Sequence, residues 1–125
     1  MSVENVRKWF MIHTYSGYEK KVKTDLEQKM ETLGFREVVT NILVPEEELT
    51  EIVRGKPKKI YRKLFPAYVM LEMEATREEN EHGISYKVDP RVWYEVRNTN
   101  GVTGFVGVGS DPIPMEEEEV KNIFN

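Results

Sequence analysis

The sequence predicts an α+β fold in which helices pack on an antiparallel sheet. Two observations carry that expectation. Runs of aromatic and β-branched residues alternate along the chain with segments of helical periodicity. Their order is strand, helix, strand, hairpin, strand, helix, strand, with the mixed connections of a helix layer on an antiparallel sheet.

Lys8 to Tyr15 (KWFMIHTY) is too apolar for a loop and reads as a buried strand. Ser16 and Glu19 then have the spacing of a capping box that opens a helix. Val22, Leu26, Met30 and Leu33 fall on one helical stripe, with Lys20, Lys21, Lys23, Asp25 and Glu27 largely off it. Gly34 suits a left-handed cap at the end. Val38 to Val44 is the second strand, stopped by Pro45. Leu49 to Val53 and Lys59 to Lys63 are short β-prone pieces on either side of Arg54 to Lys58, the expected hairpin tip. Phe65 to Met73 is the strongest strand, with Pro66 at its start.

The stretch from Glu74 to Val92 is polar and irregular, and Glu74 to His82 reads as a solvated loop or short helix. Val92 to Asn98 is expected to be helical, with Trp93, Val96 and Arg97 sharing a face. Val102 to Val108 is a short strand broken up by Gly101, Gly104, Gly107 and Gly109. Pro114 opens a last helix, with Glu116 to Glu119 in its first turn and Val120, Ile123 and Phe124 as its apolar stripe.

A chain of 125 residues favours one domain with one core. With 39% hydrophobic and 32% charged residues, the balance is that of a soluble globular protein. A net charge of −4 argues against a uniformly cationic nucleic-acid binder. The absence of cysteine excludes disulfides and thiol chemistry. No apolar run is long enough to span a bilayer, and residues 1–8 lack the apolar stretch of a signal peptide, so the cytoplasm is expected. No catalytic or phosphate-binding motif surrounds the two histidines, His13 and His82, or any other residue. No enzyme activity, metal or cofactor is expected.

Two features invite a binding function. Arg54, Lys56, Lys58, Lys59, Arg62 and Lys63 put six cations into ten residues, with no acid between them. This is either a hairpin made soluble at its edges or an electrostatic contact for phosphate or an acidic protein. Strand alternation also separates Phe10, Ile12, Val69, Leu71 and Met73 from Trp9, Met11, His13, Tyr68, Met70 and Glu72. The aliphatic set suits a face under the first helix. The mixed set is either a docking patch or the seat of the C-terminal helix. An RNA-recognition sheet would need stacking aromatics in a basic-led motif, and Thr103 to Gly107 does not supply it.

Four segments together resemble the N-terminal (NGN) domain of NusG, the bacterial transcription elongation factor. They are Lys8 to Glu19 (KWFMIHTYSGYE), Val44 to Glu48 (VPEEE), Arg62 to Val69 (RKLFPAYV) and Trp93 to Gly107 (WYEVRNTNGVTGFVG), in family order. The resemblance implies a ferredoxin-like, RNP-like four-stranded antiparallel sheet with flanking helices and a protruding basic hairpin. Residues 1–125 would form this one domain, with the hairpin at about 46–63 and an atypical insertion at about 74–92. It implies binding of RNA polymerase at the clamp helices of the largest catalytic subunit, bridging the main channel and modulating elongation, pausing and termination. By motif position Met11, His13, Phe65, Pro66, Tyr68, Met70 and Phe105 would line the polymerase patch. Asn98 and Thr99, with Arg97 beside them, match the segment facing non-template DNA, and the basic hairpin would add nucleic-acid contact.

Ala67 stands where the family usually has glycine. The family also continues into a KOW domain that binds Rho or NusE, and no segment here resembles it. A monomeric fragment without those partners is therefore expected. The alternative is a free-standing nucleic-acid-binding module led by residues 54–63.

Overall fold

The structure is a computed structural model that describes residues 2–108 and 111–124. In chain order its elements are β1 (Ser2–Thr14), α1 (Glu19–Leu33), β2 (Val39–Leu43), β3 (Glu46–Val53), β4 (Lys56–Lys63), β5 (Tyr68–Asn80), β6 (Gly83–Lys87), α2 (Pro90–Arg97), β7 (Val102–Phe105), β8 (Gly107–Val108), β9 (Asp111–Pro112) and α3 (Glu117–Phe124). β1 and β5 pair antiparallel along almost their whole length, from Ser2 opposite Glu79 to His13 opposite Tyr68. The main sheet runs β2-β5-β1-β7, and β6 adds to β5. β2 meets β5 at Met70 to Met73 and β6 meets it at Thr76 to Asn80, so they share one edge of β5 end to end. The expected antiparallel sheet with flanking helices is borne out, with β6 as an added strand.

The core lies on the helix side of this sheet. Phe10, Ile12, Val69, Leu71, Met73 and Ala75 meet Val22, Leu26 and Met30 of α1 and Val92 and Val96 of α2. All are nearly or fully buried, and each large aliphatic side chain contributes roughly 1.5–3 kcal/mol by leaving water. Alternation along β1 and β5 is thus the source of the layer.

Several elements differ from expectation. Glu74 to His82 is neither loop nor helix: β5 runs on to Asn80, and residues 81–82 turn into β6. The reason is the partner. Ser2 to Arg7 extends β1 beyond the apolar run, and where apolar residues thin out Arg77 pairs across the strands with Glu4 (3.7 Å) and along its own strand with Glu79 (3.2 Å). The hairpin strands are longer than their β-prone cores, because Arg54 (φ 54°) and Gly55 (φ 77°) make a two-residue turn that pairs Val53 with Lys56. The face of α2 that is buried is Val92 and Val96, while Trp93 lies half-buried under the Arg97 guanidinium, 4.6 Å from its ring.

Pro114 does not open α3. It bridges to Phe10, and Met115 donates its N–H to the Trp9 carbonyl (2.7 Å), so the chain follows β1 before the helix begins at Glu117. The predicted strand from Val102 to Val108 divides at Val106 into β7 and β8, and its Gly109 lies outside the described residues.

No capping box forms either. α1 starts at Glu19 after a turn through Gly17 (φ 88°), and its N-cap Tyr18 makes no side-chain cap bond. The Glu19 side chain instead points into the protein, where it is buried. Its Oε2 accepts from the Ala67 N–H (3.0 Å) and from Lys63 Nζ (3.1 Å). Ala67 itself has φ 69°, the left-handed conformation that explains glycine's usual place there. Burial pushes the Glu19 carboxyl up, but N–H groups of Ala67 and Glu19 and the Lys63 ammonium outweigh it and hold the pKa below the ordinary value.

A depressed folded-state pKa stabilises above the unfolded value and is lost as pH falls through the folded one. Glu19→Gln should therefore cost about 2 kcal/mol at pH 7. The gap between wild type and variant should narrow as pH drops below about 4.3, the ordinary glutamate value. Urea unfolding of both proteins from pH 7 to pH 3 measures it, and equal stability at pH 7 would refute the role given to Glu19.

Candidate docking face and nucleic-acid contacts

The face of the sheet opposite α1 and α2 is only partly covered. Trp9, Met11 and His13 lie on it from β1, and Tyr68, Met70 and Glu72 from β5, by register. α3 covers one end of it, its Phe124 ring lying 5.4 Å from Trp9. The C-terminal helix thus seats on part of this face and leaves the other end open. At the other end the His13 and Tyr68 rings pack at 4.5 Å, each half-buried, and Met11 is half-buried beside them. Phe65 (41% exposed) and Pro66 project from the turn just before Tyr68. The Thr14 N–H bonds the Ala67 carbonyl (2.8 Å), fixing that turn to the end of β1.

Two of the expected patch residues do not fit. Met70, opposite Met11 on this same face, is completely buried and so offers no surface. Phe105 stands opposite Ile12 and packs against the core cluster, which puts it on the helix side at the β7 edge. Leu43, which sequence reasoning missed, stands opposite Met70 and joins the open face half-buried. A bulge between Val39 and Asn41 breaks the alternation of β2, hiding the signal.

The hairpin forms a two-stranded sheet of its own, so its charges stand in solvent. Of its six cations, Lys59 pairs with Glu48 (3.3 Å), Arg62 with Glu47 (2.7 Å) and Lys63 with Glu19. Among the described residues Arg54, Lys56 and Lys58 have no ion-pair partner, so the uncompensated charge is concentrated at the tip. Lys20 also reaches Glu46 (3.7 Å), a second link between α1 and the hairpin base.

Arg97 and Asn98 are exposed at the end of α2. Asn98 caps that helix, its Nδ2 donating to the Tyr94 carbonyl (2.8 Å). Thr99, expected to face nucleic acid, is instead 4% exposed. Its hydroxyl donates to the Glu95 carbonyl (2.9 Å) and accepts from Lys29 Nζ (3.1 Å), which makes it a structural cap. A capping threonine was detectable only as a polar residue after a helix, and the same pattern fits a ligand contact.

Among the described residues no group of His, Cys, Asp or Glu is arranged to hold a metal, and no helix is long and apolar enough to cross a membrane.

Residues 7–124 match the family model described as transcription termination factor NusG. The chain is 45% identical over 121 residues to the transcription termination/antitermination protein NusG of Halalkalibacterium halodurans, spanning 94% of this chain and 61% of that protein. It is 42% identical to the Bacillus subtilis protein of the same description, with the same coverage. Among solved structures, one described as domain interaction in Thermotoga maritima NusG superposes with a TM-score of 0.68 at 30% identity, covering 95% of this chain and 56% of that one. The chain thus spans about three fifths of the length of the curated relatives it matches.

Replacing Thr99 by valine keeps its shape and removes both hydroxyl bonds. Thr99→Val should lower unfolding free energy by about 1.5 kcal/mol, seen as an earlier urea midpoint with an unchanged slope. An unchanged midpoint would return Thr99 to the list of ligand contacts.

Proposed function

The chain belongs to the NusG family, and on that premise we propose that it is a polymerase-binding domain that modulates elongation, pausing and termination without catalysis of its own. The observation that carries this reading is the open end of the sheet, where Met11, His13, Leu43, Tyr68 and Phe65 gather exposed or half-buried apolar and aromatic surface. Aromatic and thioether groups on a rigid sheet are the composition of a docking anchor. Its partner in this reading is the clamp-helix coiled coil of the largest polymerase subunit. The domain bridges the main channel and binds the closed clamp better than the open one, so the population shifts towards processive elongation. The hairpin tip, Arg54, Lys56 and Lys58, speeds association and fixes orientation through its charge. Arg97 and Asn98 meet the non-template strand.

We propose further that residues 1–125 form the N-terminal domain, acting as a cytoplasmic monomer. Rho and NusE would be engaged only by a KOW domain outside it. A second reading, a free-standing nucleic-acid-binding module, is favoured by one observation, the unpaired cations at the hairpin tip. It predicts sub-micromolar binding of single-stranded DNA without polymerase, with a steep salt dependence. The polymerase reading predicts weak binding there.

Tyr68→Ala is expected to weaken polymerase binding by at least about tenfold, or about 1.4 kcal/mol, with an intact circular dichroism spectrum. Retention on immobilised polymerase measures it. Unchanged retention by a folded variant would remove the sheet face from the interface.

A further inference from the structure

We infer that Lys29 is a positioning residue for the non-template contact: reaching across from α1, it closes the C-terminal end of α2 and holds Asn98 in place. This rests on the DNA reading above. The last turn of α2 leaves its final carbonyls without helical partners, and side chains supply them. The Asn98 N–H (3.0 Å) and Nδ2 (2.8 Å) both go to the Tyr94 carbonyl, and the Thr99 N–H goes to Val96 (3.2 Å). The Glu95 carbonyl takes the Thr99 hydroxyl at 2.9 Å and the Lys29 ammonium at 3.1 Å.

Lys29 Nζ is the one group in this set that comes from another element. It meets the Glu95 carbonyl and Thr99 Oγ1, both at 3.1 Å, and lies 3.8 Å from the Glu95 carboxylate. Two of the ammonium's three donors go to the carbonyl and the hydroxyl, and the carboxylate adds a looser ion pair. A cation is also favoured at the negative end of the helix dipole. Its side chain is 26% exposed, so water competes only in part.

The consequence is a division of labour inside residues 97–100. Thr99 is buried and spent on the cap, while Arg97, Asn98 and Asn100 remain exposed. Asn98 uses one Nδ2 proton on Tyr94, and among the described residues its Oδ1 and second proton have no partner. A fixed amide of this kind offers one acceptor and one donor to a base edge. That offer is worth most when the amide is held still, because ordering it on contact costs free energy. Lys29 therefore acts on DNA recognition through Thr99 and Asn98, without touching DNA.

The test compares Lys29→Met, Lys29→Arg, Asn98→Ala and the double variant Lys29→Met with Asn98→Ala. Each is measured by amide hydrogen exchange in the free protein and by crosslinking to non-template DNA in a polymerase elongation complex. Lys29→Met should speed exchange at residues 98–101 about tenfold. It should lower crosslinking to the level of Asn98→Ala, with polymerase affinity within about twofold of wild type. Lys29→Arg should keep wild-type crosslinking, and the double variant should lose no more than Asn98→Ala alone. A further, additive loss would mean that Lys29 meets a phosphate itself, which overturns the inference. So would wild-type exchange or crosslinking in Lys29→Met while Asn98→Ala is impaired. Normal crosslinking in Asn98→Ala would overturn the DNA reading and the inference with it.

Discussion

Glu19 places a carboxylate in the interior at the first residue of α1, where it receives the Ala67 N–H and the Lys63 ammonium. Ala67 lies 48 residues along the chain, just before β5, and Lys63 is the last residue of β4. One side chain therefore joins the helix layer, the hairpin base and the turn that carries Phe65 and Pro66. A buried carboxylate is tolerated only when donors replace the lost water. Three do so, including its own N–H, and they outweigh burial in holding the group ionised. The compensation is incomplete, since Oε1 is buried without a partner among the described residues. The cost falls on stability, and the return is a fixed geometry for the turn that carries Phe65 and Pro66.

That geometry also sets the open sheet face. The left-handed Ala67 directs its N–H to Glu19 and its carbonyl to Thr14, so the chain enters β5 at a set register. With His13 opposite Tyr68, their rings pack at a tilt, and Phe65 stands exposed in the turn before Tyr68. A slip of one residue would exchange this set for Val69 and Ile12 and empty the core at the same time. The open face and the core are two sides of one register. The same ladder that buries Phe10 and Leu71 presents Met11 and Tyr68.

The parts legible in the sequence were those governed by local period. Val22, Leu26 and Met30 announce α1, and the alternation in β1 and β5 separates the two faces correctly at every position named for them. Gly34, with φ 78°, ends α1 as expected. What remained hidden depends on partners remote in sequence. Residues 74–80 carry no apolar alternation, and the neighbouring Ser2 to Arg7 and Gly83 to Lys87 make them a strand. Ser16 and Glu19 have capping-box spacing, yet the carboxylate gains more from Ala67 and Lys63 than from its own turn. Met70 and Thr99 carry the right chemistry for contact, and burial set by tertiary packing removes them from the surface. Family position located the loop at 97–100 but could not distinguish its exposed asparagine from its buried threonine.

Charge shows the same dependence on pairing. The net −4 conceals a hairpin of six cations, and pairing with Glu19, Glu47 and Glu48 leaves, among the described residues, three uncompensated charges at the tip. The pairs that consume charge lie toward the base, and Glu19–Lys63 fastens that base to the start of α1. At the far end of α1, Lys29 spends its own charge on the end of α2. One helix thus anchors a lysine of the hairpin through its first residue and the exposed amide of Asn98 through its eleventh. Both elements assigned to nucleic acid are braced by α1, while the docking face lies on the other side of the sheet. The open apolar face and these two exposed polar elements therefore lie on separate surfaces that share no side chain.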